Sequence, residues 1–173
     1  FYFSFHRSAP KLDDMMPGFL SRQRLNFGPW SAFERMVVRL FLHLGYPQVE
    51  YTGGPGDKGC DIFVITEDLE KMVIQCKFTH TESDAKIEGV EDIQRACEAY
   101  DSNIGLLCIN NRILSQAAKE LLDEMNSLGY EVDYWNYHNF RKISEGLEEY
   151  SIHRKKPRNY QLEAIEKSVA SLE

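Results

Sequence analysis

No apolar run in this 173-residue chain is long enough to cross a bilayer; the longest, such as Ile104 to Ile109, fall far short of the necessary twenty residues or so. The opening FYFSFHRSAP is aromatic but lacks a continuous apolar stretch, so it is not expected to be a secretory signal. It also lacks an initiator Met, so the chain is expected to be a processed or excised piece of something longer. Cysteine is sparse and unpatterned. Cys60, Cys76, Cys97 and Cys108 form no CxxC pair and have no His at zinc-finger spacing. Each lies in or beside an apolar run, so buried free thiols in a reducing cytoplasm are expected rather than a disulfide scaffold or a structural zinc site. A positive excess is missing too: 20 Lys and Arg face 27 Asp and Glu, for a net charge of −7. Proteins whose whole surface grips nucleic acid are usually basic, so any such grip here must be weak or local. Carboxylates are, in turn, what hard divalent cations need.

What is present is ordinary globular composition, 43% hydrophobic and 27% charged, in a length that suits one domain with a buried core. Residues 1–29 are punctuated by Pro10, Pro17 and Pro29 and read as an irregular arm, with a short helix around Pro17 to Gln23. From Trp30, apolar residues at 33, 36, 37, 40, 41 and 44 have the spacing of an amphipathic helix. Ser31 is its expected N-cap, with Glu34 closing a capping box, and Gly45 ends it. Strands are expected over 48–52, 60–66 and 72–78, the last two as a hairpin around EDLEK. Between the first two lies GGPGDKG, which can be neither helix nor central strand. A helix over 86–100, a doubly buried strand over 103–110, a helix over 115–128 ended by Gly129, a strand over 130–136 and a short helix over 138–149 follow. This order implies a mixed central β-sheet flanked by helices on both sides. At about Ser151 the chain turns basic and polar, like a linker, before a last helix with Leu162, Ile165, Val169 and Leu172 on one face.

The hairpin carries the chemistry. Asp61 opens one strand and Lys77 closes its partner, so both meet at one end of the sheet. Gln75 and Lys77 point to one face and Cys76 to the other. The glycines at 53, 54, 56 and 59 leave that end open to a closely approaching backbone. A carboxylate, a further oxygen donor and a lysine suit phosphodiester hydrolysis with Mg²⁺. Glu34, near the start of the preceding helix, can reach the same metal shell.

The helical Glu34, the segment GGPGDKGCD (53–61) and the strand end QCK (75–77), in that order, resemble the Mrr-like branch of the PD-(D/E)xK restriction-endonuclease superfamily over roughly residues 30–145. The resemblance implies a restriction-endonuclease-like α/β core, a nuclease domain over 30–150, and Mg²⁺ as cofactor with Mn²⁺ as substitute. It implies Asp61 as the metal-binding acid and Gln75 as a neutral replacement for the usual carboxylate. Lys77 would be the catalytic lysine and Glu34 would complete the site, with the main-chain carbonyl of Cys76 as a further metal ligand. DNA is the implied substrate, and cutting both strands would need a dimer or two complexes. The tail RNYQLEAI (158–165) resembles the element that opens superfamily 2 helicase domains in restriction enzymes, where Gln161 would meet the adenine of ATP. Residues 151–173 would then be a linker and the first helix of a following helicase or translocase, used against foreign DNA. A catalytically inactive docking module, or an RNase or repair exonuclease on the same fold, are the alternatives.

Other residues carry weaker signals. Asp57 suits a glycine-rich turn as well as a site. Gln94 sits on a helix surface. His80 and Glu82 follow the site loop and could meet DNA, and Arg154, Lys155, Lys156 and Arg158 could grip phosphate. His43, His138 and His153 carry no catalytic signal, and Tyr134, Trp135 and Tyr137 read as core and edge aromatics.

Overall fold

The computed structural model describes residues 22–146, apart from 55, 81, 82 and 112. The arm up to residue 21, Glu82, His153, the basic stretch with Arg154, Lys155, Lys156 and Arg158, and Gln161 with the last helix lie outside the described residues. The elements run α1 (Arg22–Phe27), α2 (Trp30–His43), β1 (Gln48–Tyr51), β2 (Ile62–Ile65), β3 (Lys71–Lys77), α3 (Glu88–Tyr100), β4 (Ile104–Ile109), α4 (Gln116–Ser127), β5 (Glu131–Trp135) and α5 (Tyr137–Gly146). The sheet has the order β1-β2-β3-β4-β5. The first three strands pair antiparallel, and β3, β4 and β5 pair parallel through the crossover helices α3 and α4. This is the expected mixed sheet, with helices on both faces, of a restriction-endonuclease-like fold.

Alternation along β3 divides the core. Met72, Ile74 and Cys76 join α2 and Phe140 of α5 in one apolar cluster. Val73 joins α3, α4 and alternate residues of β4 in the other. Trp135 stacks on Phe41 at 5.3 Å, and Tyr134 and Tyr137 pack against the two clusters, so these aromatics are structural. All four cysteines are buried free thiols. Among the described residues no helix is long and apolar enough to cross a membrane.

One helix start, that of α2, corrects the sequence reading. The first described helix is Arg22–Phe27, with Leu25 in the α2-side core; residues 17–21 of the helix expected around Pro17 to Gln23 lie outside the described residues. Helix α2 begins at Trp30 with Pro29 as N-cap, not Ser31. The Pro29 carbonyl accepts from the amides of Ala32 at 2.8 Å and Phe33 at 3.1 Å, and no side chain caps the end. Proline lacks an N–H and its fixed φ suits a helix entry, so Ser31 already lies inside the first turn. The capping box does not form, and Glu34 is released from that role. The expected glycine stops hold, since Gly45 and Gly129 follow their helices with φ of +88° and +97°; Ser115, the expected start of the second of these helices, is its N-cap and accepts from the Ala118 amide.

Candidate active site

Strand β2 runs opposite to both neighbours, so its first residues lie where β1 and β3 end. There the Asp61 amide donates to the Ile74 carbonyl at 2.9 Å and extends the ladder by one residue. Its carboxylate turns onto β3, where Oδ2 accepts from the Cys76 amide at 2.7 Å. Asp61 and Gln75 are both buried, at 5% and 6% exposure. Gln75 Nε2 donates to the Cys76 carbonyl at 3.3 Å, and Gln75 Oε1 has no hydrogen-bond partner among the described residues. An orphaned buried oxygen costs about 1–3 kcal/mol, so this one is set for a donor or a cation.

From the α2 side comes Glu34, also buried at 6%. Its Oε2 accepts from the Tyr51 hydroxyl at 2.6 Å, a bond between helix and strand across seventeen residues of chain. Tyr51 in turn needs Gly53, since a Cβ there would come within 2.8 Å of the phenol oxygen. Asp57 organises the loop between them: Oδ1 accepts from the Gly59 amide at 2.9 Å and its amide donates to the Gly54 carbonyl at 3.1 Å.

Burial and mutual repulsion charge this end. Burial is the main force raising Asp61, to about 6; the Cys76 amide and Lys77 oppose the rise, while Glu34 and Asp57 add to it. Glu34 is raised chiefly by burial, with Asp57 adding and the Tyr51 bond opposing. Tyr51 is pushed up to about 12, first by its bond to Glu34. Carboxylates that resist ionising together form a place a cation would relieve.

Lys77 closes β3 on the α3 side and pairs with Asp92 of that helix. Beside it, between β3, β4 and the start of α3, opens a cleft of about 330 Å³ whose walls include Lys77, Thr79, Lys86, Gly89 and Asn111. The carboxyl ends of parallel strands are where open α/β sheets bind ligands. The close approach expected at the glycines is made by the chain itself. A Cβ on Gly59, whose φ is +87°, would stand 3.0 Å from the Asp92 carbonyl carbon and closer still to its oxygen.

The structure thus brings Glu34, Asp61, Gln75 and the Cys76 main chain to one sheet end, with Lys77 beside them. Among the described residues no three His, Cys, Asp or Glu side chains converge on one point. The donor set is instead two carboxylates and an amide oxygen. That set fits Mg²⁺, which keeps several waters and needs only one or two carboxylates. Gln94 lies half-buried on α3, and His80 is exposed against Phe78; neither hydrogen-bonds to this group. Tyr51 and Asp92 were missed, because their bonds to Glu34 and Lys77 cross between elements and leave no local pattern.

The fold is of the restriction-endonuclease type. A family model described as "Restriction endonuclease" matches residues 27–143, more than half of the chain, and the chain belongs to that family. Among solved structures it is similar to a crystal structure of a protein of unknown function, AF1548, at 17% identity and a TM-score of 0.46, over 79% of this chain and 76% of that one. It is also similar to the MspJI restriction endonuclease in complex with a 27-mer oligonucleotide, at 18% identity and a TM-score of 0.49. That match covers 98% of this chain, which spans only 39% of the MspJI chain. No curated protein matches the chain.

Proposed function

We propose that this chain is a Mg²⁺-dependent DNA endonuclease module, with Mn²⁺ able to substitute, and that residues 30–150 form its nuclease domain. The observation that carries the reading is the unpartnered Gln75 oxygen beside two repelling buried carboxylates at one sheet end. Asp61 and Glu34 would hold the cation, with Gln75 Oε1 and the Cys76 carbonyl as neutral donors. The metal, when bound, supplies Lewis-acid activation of phosphate and water. Asp61 keeps its carboxylate aimed by the Cys76 amide. Tyr51 fixes one oxygen of Glu34 and leaves the other available. Lys77, half-exposed at the cleft, places its ammonium against a phosphate oxygen and stabilises the charge that builds there.

Supercoiled plasmid incubated with Mg²⁺ or Mn²⁺ tests this. Nicking by the unaltered chain, lost in Asp61→Ala and Lys77→Ala, is the expected result; equal nicking by all three overturns it. Digestion of RNA, linear DNA and circular DNA side by side separates the endonuclease from an RNase or exonuclease.

The neutral Gln75 makes the site a weak one. Gln75→Glu is expected to tighten Mn²⁺ binding about tenfold, since ligand charge sets affinity at such sites. Calorimetric titration reads it, and unchanged affinity would remove Gln75 from the metal shell. That weakness also favours the second reading, a catalytically inactive docking module, for which Mn²⁺ binding would not depend on Asp61.

RNYQLEAI, with Gln161 at the ATP adenine, supports a superfamily 2 motor following this module in a cytoplasmic restriction system against foreign DNA. One site cuts one strand, so double-strand cleavage calls for a dimer or a second complex.

A further inference from the structure

Lys77 does not stand free at the end of β3. Asp92 of α3 meets it through Oδ2 and meets Arg95, one turn further on, through Oδ1. One carboxylate, only 13% exposed, therefore bridges two cations that are 41% and 62% exposed. Each oxygen has its own partner, so Arg95 holds the rotation of the carboxylate that Lys77 binds. The backbone of Asp92 is fixed as well. Gly59, two residues before Asp61, lies so close to the Asp92 carbonyl that no side chain fits between them. The loop that delivers Asp61 and the helix that delivers Asp92 are thus keyed together at one point.

We infer that Asp92 is the positioning residue for Lys77, locking its ammonium at a set distance from the Asp61 end. This rests on the nuclease reading for its catalytic consequence, not for its geometry. Lysine on its own is a point charge on a flexible four-carbon stem, and a misplacement near 1 Å at a reacting centre can cost about a hundredfold in rate. A counter-ion anchored to α3 removes that freedom before substrate arrives. Arg95 supports the anchor from the same helix.

The test uses the whole chain and two readouts. Asp92→Asn is expected to lower kcat by about 10- to 100-fold with KM changed less than about twofold, and Asp92→Glu to restore most of the rate. Independently, acetylation of Lys77 by acetic anhydride, followed by mass spectrometry against Lys119, is expected to quicken by up to about fivefold in Asp92→Asn, the most that loss of a part-exposed pair allows. Arg95→Ala changes an exposed side chain and is expected to quicken the same acetylation about twofold, which covers an Asn variant that does not fold. Unchanged Lys77 acetylation in a folded Asp92→Asn or in Arg95→Ala overturns the inference, as does a kcat that Asp92→Asn leaves intact. If the unaltered chain cuts nothing, the nuclease reading fails while the acetylation arm still decides the Asp92–Lys77 contact.

Discussion

At pH 8, Asp61→Asn is expected to melt about 6–10 °C above the unaltered chain without divalent cation, and to cleave about a thousandfold more slowly than it with Mg²⁺. Both effects come from one buried carboxylate. Asp61 is raised from 3.8 to about 6, chiefly by burial. Its folded state therefore holds the proton more tightly than its unfolded state. That contribution to stability is complete below pH 3.8, falls as pH rises, and is gone above about pH 6. Two pH units correspond to about 3 kcal/mol, and little solvent screening applies to a side chain this buried. Asparagine keeps an oxygen for the Cys76 amide and carries no charge to bury. Thermal melts should show the gap between variant and parent shrinking as pH drops from 6 toward 4. Adding Mg²⁺ at pH 8 should raise the parent and leave Asp61→Asn unmoved. A variant that melts lower than the parent at pH 8 would refute the account.

Gly59→Ala is expected to cost about 3 kcal/mol and to take cleavage down with it. Two penalties add: a residue with a side chain held at φ +87°, and a methyl group driven into the Asp92 carbonyl. Gly56→Ala separates them, because Gly56 shares the positive φ, at +93°, but has open space around it. It should cost about 1–2 kcal/mol and leave the nuclease working. Urea unfolding of both variants measures the difference. Equal losses would mean that backbone strain alone matters and that the Gly59–Asp92 contact carries nothing.

These contrasts mark where the sequence could be read. Strand periodicity placed β2 and β3 within about two residues of their ends, and hairpin geometry put Asp61, Gln75 and Lys77 at one edge. Such features depend on neighbours in the chain. The capping box at Ser31 misled because Pro29, two positions before the motif, accepts the first helical amides instead. Gly59 read as a glycine needing a close neighbour, but the neighbour was unnamed, since Asp92 lies 33 residues on in another element. The Tyr51 hydroxyl on Glu34 is of the same kind: an exposed edge tyrosine looks like any other until the helix is laid over the sheet. Local pattern thus reached the strand residues, and the partners that aim them required the packing.

In this sheet every strand lies beside its neighbour in sequence. Consecutive pairing keeps loop closures short, and domains dominated by such contacts fold quickly for their size. All the groups given a metal-binding, catalytic or positioning role at the site, from Glu34 to Arg95, fall within one stretch that ends at the first crossover helix. A nascent chain would therefore hold its whole complement of reactive groups before β4 and β5 had emerged. Strand β3 would then still lack the partner along its other edge. The last two strands contribute no reactive group to that set; they would shut the sheet around a centre already in hand, and a truncation that removed them should leave the chemistry encoded but unsupported.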